Sequence, residues 1–224
     1  MMRIALAAAA VLLLMHGESD AQPAPDTCGI RRVQLEFYAS KPLRVCALDG
    51  HAEAQAWLGM VYWSASQSEF GGSARWGVPE RLTKQDLWSE GLRLITLASE
   101  AGVAVAQNEL GRALLLGDFG VSVDFAAAHR WLNAAAAQND EVAMFNLARA
   151  HFLGWGVPQS TDEAVGWLRR SSRRGYVDAR CTLAEVLALR ATEADLPEAM
   201  LLRSGVLLQR GVACGPDDLV DGFP

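Results

Sequence analysis

Two stretches of the chain repeat one pattern of small, apolar and polar positions. AQNELGRALLLG, from Ala106 to Gly117, recurs as AMFNLARAHFLG from Ala143 to Gly154, an offset of 37 residues. Downstream, Gly120-Val121 leads to Trp131 and Gly156-Val157 leads to Trp167, with both pairs 36 residues apart. Ala128 returns as Ala164, and Ala135-Ala136 as Ser171-Ser172. The opening of the pattern appears again in ARCTLAEVLALR (Ala179 to Arg190) and in AQAWLGMVYW (Ala54 to Trp63). A period in the high thirties belongs to stacked helical hairpins, each unable to bury its apolar face alone.

The pattern predicts pairs of antiparallel helices. The first helix of each pair covers about 52–63, 103–116, 141–152 and 177–190, and the second about 84–101, 124–138, 162–173 and 196–209. Pro42 to Asp49 reads as the second helix of a truncated repeat, because Cys46-Ala47 before Gly50 copies Ala135-Ala136 before Asn139. Asp124 and Thr161 are expected N-caps, since their side-chain oxygens suit orphan amides. Gly50, Gly102, Asn139 and Gly175 stand where helix ends need a left-handed residue. Pro197 suits a first turn, where its missing amide is not needed. Ala106, Gly111, Ala143 and Ala148 are small enough to let helix backbones approach closely. Trp131 and Trp167 are the bulky residues expected to fill the wedge between adjacent pairs. The bend and its tryptophan keep a fixed distance because one helix length separates them.

The ends read differently. Residues 1–21 hold one basic residue, Arg3, then an apolar run from Ile4 to Met15 and small residues at Ser19 and Ala21, which is the form of an export signal with Gln22 as the mature start. The run is too short for a membrane span, which takes about 20 apolar residues, and no span is expected once the signal is removed. The formal charge is −6; removal of Arg3, Glu18 and Asp20 leaves −5, a mildly acidic balance that argues against nucleic acid as partner. Cys28, Cys46, Cys181 and Cys214 would remain. An even count in an exported chain suggests disulfides, with three connectivities available and buried free thiols as the alternative. Cys28–Cys46 and Cys181–Cys214 are the expected pairs, because each sits at one end of the array.

The alternation resembles the Sel1-like repeat, a relative of the tetratricopeptide class. Its hallmark is Ala-x-x-x-Leu-Gly-x-x-Tyr-x-x-Gly-x-Gly-Val followed by Ala-x-x-Trp-x-x-x-Ala-Ala-x-x-Gly. Ala143, Leu147, Gly154, Gly156, Val157, Ala164, Trp167 and Gly175 match it. In the preceding copy Ala106, Leu110, Gly111, Gly117, Gly120, Val121, Ala128, Trp131, Ala135 and Ala136 match, with one extra residue in the bend. The resemblance implies an all-α fold, a right-handed α/α superhelix of about four helix–turn–helix repeats with a half-repeat amino-terminal cap. The organisation is then a signal at 1–21, a leader and cap segment at 22–41, the solenoid at 42–210 and a tail at 211–224. It also implies a non-catalytic scaffold or adaptor for a protein or peptide partner, periplasmic or secreted, in a bacterium, with no cofactor.

Between Trp63 and Leu82 the first bend swells by an insertion containing Phe70 and Trp76. Insertions of this kind map to one face of a repeat array. With Trp63, and with Phe119 and Trp155 in later bends, these rings form a candidate partner-binding strip; the alternative is that they fold back as local packing. Arg112 and Arg149, in equivalent places beside Asn108 and Asn146, are candidates to line the concave face, with solvated helix surface as the alternative reading. Chemistry is sparse. His151 takes the tyrosine position of the repeat and reads as a half-buried core residue, His129 is expected to face outward, and His51 begins a helix. No Gly-x-Ser-x-Gly, phosphate loop or metal spacing is present, so neither a catalytic nor a metal-binding residue is expected. Secreted cysteine-rich members of the resembled family have been classed as β-lactamase-like, which makes a hydrolase the rival reading. The central repeats here lack the cysteine pair those members carry in each repeat, and no Ser-x-x-Lys occurs. A cell-wall glycan or peptide binder is a further alternative.

Overall fold

A computed structural model describes residues 41–67, 78, 82–190 and 192–210, with side chains at 43–67, 78, 82–190 and 192–204. The signal, most of the leader, the insertion residues Phe70 and Trp76, Cys28, and the tail with Cys214 lie outside the described residues. Everything regular within them is helical. The helices are α1 (Lys41–Leu48), α2 (Ala52–Gln67), α3 (Lys84–Glu100), α4 (Ala104–Leu116), α5 (Phe125–Ala137), α6 (Glu141–Leu153), α7 (Thr161–Arg173), α8 (Val177–Arg190) and α9 (Asp195–Arg210). The chain divides into two compact units, Met1–Ala106 and Gln107–Pro224.

In the first unit α1 packs on α2 and α2 on α3. A Cβ placed on Gly91 would lie 2.5 Å from Trp63 Cδ1 and 3.1 Å from the Gly59 carbonyl oxygen. Glycine at this crossing therefore sets the distance between the two helices. The core gathers Leu43, Leu58, Tyr62, Leu87 and Leu94. Burial pushes the Tyr62 phenol up to about 12, with Glu90 adding to the shift and Arg44 and Arg93 opposing it. α2 runs four residues past Trp63, further than the sequence pattern indicates. Ala65 and Ser66 are buried and the Ser66 hydroxyl donates to the Trp63 carbonyl at 2.6 Å, so the insertion begins as helix. Thr83 starts α3 with a reciprocal cap: its hydroxyl accepts from the Asp86 amide, and its own amide donates to the Asp86 carboxylate.

In the second unit α5 packs on α6, α6 on α7, α7 on α8 and α8 on α9. A Cβ on Gly111 would sit 2.7 Å from Leu132 Cγ, so α4 and α5 touch through a position only glycine fits. One cluster forms around Leu132, Ala135, Met144 and Leu147, and another around Phe145, Val165, Leu168, Leu183 and Leu187. Trp167 packs against both, which is the wedge role expected of it. Asp124 and Asp140 accept from the amides three residues on, at 2.9 and 2.8 Å. For α7 the N-cap is Ser160 instead of Thr161. Ser160 has extended backbone (φ −152°) and its hydroxyl accepts from the Glu163 amide, while Thr161 is already helical. Asn139 takes the left-handed conformation (φ 67°) in the place glycine holds elsewhere. Cys46 and Cys181 are both buried, and neither is a free thiol.

Candidate interaction surface

The bends of the second unit carry its most distinctive side chains. After α6, Gly154 and Gly156 both adopt positive φ. Gly156 has a second constraint, since a Cβ there would come within 2.3 Å of Phe125 Cβ. The bend thus leans on the start of α5. The Trp155 carbonyl lies 2.8 Å from His129 Nε2; a carbonyl only accepts, so the proton sits on that nitrogen. The preceding bend has one more residue and folds as a short 3-10 turn, Asp118–Gly120, with Phe119 forced to φ 58°. Positive φ is uncommon for a bulky side chain and is held here by its surroundings.

The same residue pair occurs in both bends. The Arg112 guanidinium lies 5.5 Å from the centre of the Phe119 ring, and Arg149 lies 5.5 Å from that of Trp155. This is the range in which a cation is attracted to the face of a ring. Phe119 and Trp155 are both half-buried. Arg112 also reaches Asp118 at 2.8 Å and Glu109 at 3.2 Å.

The remaining sequence candidates separate. Trp63 is buried in the first unit, against Gly91, and offers no surface to a partner. Phe70 and Trp76 lie outside the described residues, so the strip is described at Phe119 and Trp155. Beside the two arginines, Asn108 and Asn146 are both buried, and the Asn146 side-chain amide donates to the Asn108 side-chain oxygen at 2.9 Å. Arg149 is likewise buried.

His129 is half-buried against the next bend, where the sequence pattern had it facing outward. His151 is half-buried, with its ring centre 6.2 Å from that of His129 and the planes nearly perpendicular. Burial lowers the His151 pKa, His129 lowers it further and Glu163 opposes both. Among the described residues no group of three His, Cys, Asp or Glu is placed to hold a metal ion. No helix among them is long and apolar enough to cross a membrane.

Sequence spacing misses the contacts between repeats. Ser171 donates to the Glu141 carbonyl at 2.6 Å, Gln138 to Gln107 at 2.9 Å, and Arg169 pairs with Glu198 at 2.6 Å. Arg190 joins Asp162 at 2.7 Å and Asp195 at 2.6 Å. Arg190 and the Thr192 hydroxyl together hold the Asp195 carboxyl far below the usual carboxylate range. These partners are 28 to 31 residues apart in most cases, and their positions carry no shared motif.

The Sel1 repeat family model matches residues 104–140 and 142–176, the two hairpins whose bends are described above. These two hairpins are Sel1 repeats. A Sel1 repeat protein from Oxalobacter formigenes, known from a crystal structure, aligns over 76% of this chain and 63% of its own, at 23% identity and a TM-score of 0.62. This chain therefore spans less than two thirds of that relative, and the likeness is one of fold. A protective antigen of uropathogenic Escherichia coli strains displaying an SLR fold aligns over 80% of this chain and 46% of its own, at 20% identity and a TM-score of 0.36, too low to add to the argument. Comparison with curated proteins returns no match. Sel1 repeats generally mediate contact between proteins.

Proposed function

We propose that the protein is an exported, non-catalytic scaffold that grips a protein or peptide partner along the bend edge of its second unit. The observation that carries the reading is the Arg-over-ring pair, repeated at 5.5 Å in both matched hairpins. Aromatic and arginine side chains dominate binding hot spots, and a periodic edge suits an extended ligand with periodic side chains. The form of residues 1–21 supports export to the periplasm or beyond.

The test is capture from an envelope extract by crosslinking, with wild type compared to a Phe119→Ala, Trp155→Ala double variant that still folds by circular dichroism. Loss of the captured partners supports the edge; their full retention removes it. Fractionation of a carboxy-terminally tagged chain tests export, with Gln22 expected at the mature amino terminus. Turnover of nitrocefin by the purified chain would replace the scaffold reading with a hydrolase.

A further inference from the structure

The two ends of α7 carry opposite charge. α8 ends at Arg190 and α9 starts at Asp195, and this short bend leaves an open cavity of about 600 Å³ beside the start of α7. Charge is balanced there: Asp162, which lines the cavity, pairs with Arg190 at 2.7 Å. The other end reads LRRSSRRG, Leu168 to Gly175, where the preceding repeat has LNAAAAQN, Leu132 to Asn139. The buried positions stay small, with Ser171-Ser172 in place of Ala135-Ala136. All four positions around them turn to arginine: Asn133 gives way to Arg169, Ala134 to Arg170, Ala137 to Arg173 and Gln138 to Arg174. Arg169 is taken by Glu198, at 2.6 and 3.1 Å. Arg173 acts on the Glu198 carboxyl through space, without an ion pair. Arg170, Arg173 and Arg174 are exposed, and none of them pairs with a carboxylate among the described residues.

The fold does not ask for this cluster. A helix end favours a cation, yet α5 ends with no basic residue in its last turn. Arg170 stands three and four residues from Arg173 and Arg174, where like charges on a helix repel. Arg170 is also held in place. Its guanidinium lies 4.6 Å from the centre of the Trp167 ring, and Trp167 packs against both core clusters of the unit. Stacking uses the face of a guanidinium and leaves its in-plane N–H donors available.

We infer that this end of α7 is a second docking surface, which takes an acidic segment of a partner protein through Arg170, Arg173 and Arg174. Guanidinium and carboxylate match as a two-pronged pair. Arg170 and Arg174 are one turn apart, about 6 Å along the helix, close to the spacing of about 6.6–6.8 Å between alternate residues of an extended chain. Asp or Glu at every second position of the partner segment therefore falls in register. A short segment also suits the rest of the molecule. With a formal charge of −6, the chain repels a long anionic array such as a bilayer or nucleic acid over most of its surface, whereas a short segment meets the cluster alone. The surface is separate from the bend edge, because the 13 residues of α7 put about 20 Å between its two ends.

The experiment uses the full chain and a fluorescein-labelled peptide of alternating Glu and Ser, with Gln in place of Glu as the control, read by anisotropy. The Glu peptide should bind, more weakly as salt rises, and the Gln peptide should not. Arg170→Gln, Arg173→Gln and Arg174→Gln together should weaken the Glu peptide by about tenfold or more. The same three positions changed to Lys should keep part of the affinity, since the charge stays and the fork is lost. Arg130→Gln, at an exposed position of α5, should leave binding unchanged. Failure of the Glu peptide to bind, equal binding by wild type and the triple Gln variant, or a similar loss from Arg130→Gln overturns the inference. Tighter binding of phosphatidylglycerol vesicles or duplex DNA than of the peptide, lost in the triple Gln variant, overturns it in favour of a lipid or nucleic-acid partner. The Phe119→Ala, Trp155→Ala double variant should bind the peptide as wild type does, so failure of the bend edge and failure of this surface are read apart.

Discussion

Arg112 and Arg149 stand at the same place in successive repeats, each 5.5 Å from an aromatic ring, yet their surroundings differ. Arg149 is only 9% exposed, beside the indole of Trp155. The Arg112 side chain keeps 28% of its surface and is held by two carboxylates. The cause lies in the bends. The longer one contributes an acid, Asp118, and strains its phenylalanine to positive φ. The shorter one contributes a larger ring between two glycines. A repeat motif thus fixes which residues meet, and the length of the bend decides how far water enters.

The largest effects should come from the matched leucines. Leu132 and Leu168 are both fully buried on second helices. Leu132→Ala and Leu168→Ala should each cost about 2–5 kcal/mol in chemical unfolding. Costs that differ by more than about 2 kcal/mol would break the equivalence of the two hairpins.

The crossing of first and second helices is next. Gly111→Ala should cost about 1–3 kcal/mol through overpacking against Leu132, despite alanine's better helix propensity. At the matching position Ala148→Gly should cost only about 1 kcal/mol, the propensity difference. In the Gly111→Ala, Leu132→Ala double variant the clash is gone, so the two costs should sum to less than their separate values. Strict additivity would place the clash elsewhere. The caps should follow: Asp124→Ala and Asp140→Ala should each lose about 1 kcal/mol of unfolding free energy.

Smaller still, Arg112→Ala should cost no more than about 1 kcal/mol, as exposed ion pairs do, whereas Arg149→Ala should cost more, because its stem is buried. Equal costs would erase the contrast between the bends. The smallest effect is a pH dependence. His151 has a folded-state pKa below its ordinary 6.5, so the unfolded chain takes up the proton first. The stability His151 contributes is present above pH 6.5 and is lost as pH falls through the lowered value. Urea midpoints measured from pH 7.5 down to 5.5 should fall further for wild type than for His151→Phe; parallel curves would mean the ring is not desolvated.

Most of the helices could be read from the residues, because their signals are local. Periodic small and apolar residues, Asp124 before α5, and the left-handed positions at Gly50, Gly102, Asn139 and Gly175 act within a few residues of themselves. The end of α2 and the N-cap of α7 are not legible in the residues for a related reason: burial of Ala65 and Ser66, and the extended backbone of Ser160, come from packing rather than from residue type. The candidate site was less legible. Phe119 and Trp155 stand out in the sequence as bend aromatics, but the contact each makes with its arginine does not, and Trp63 reads there as an anchor though it is buried against Gly91.

The sequence by itself determined a helical hairpin, its repetition and the residues at each crossing, since helix period and bend chemistry depend on neighbours in the chain. Only the tertiary structure decided which side chains face water: Asn108 bonded to Asn146, His129 turned onto the Trp155 carbonyl, and the cavity beside α7 left open by a short bend. Those outcomes depend on contacts between repeats, roughly one period apart, where a residue's environment is set by what stacks on it and not by what precedes it.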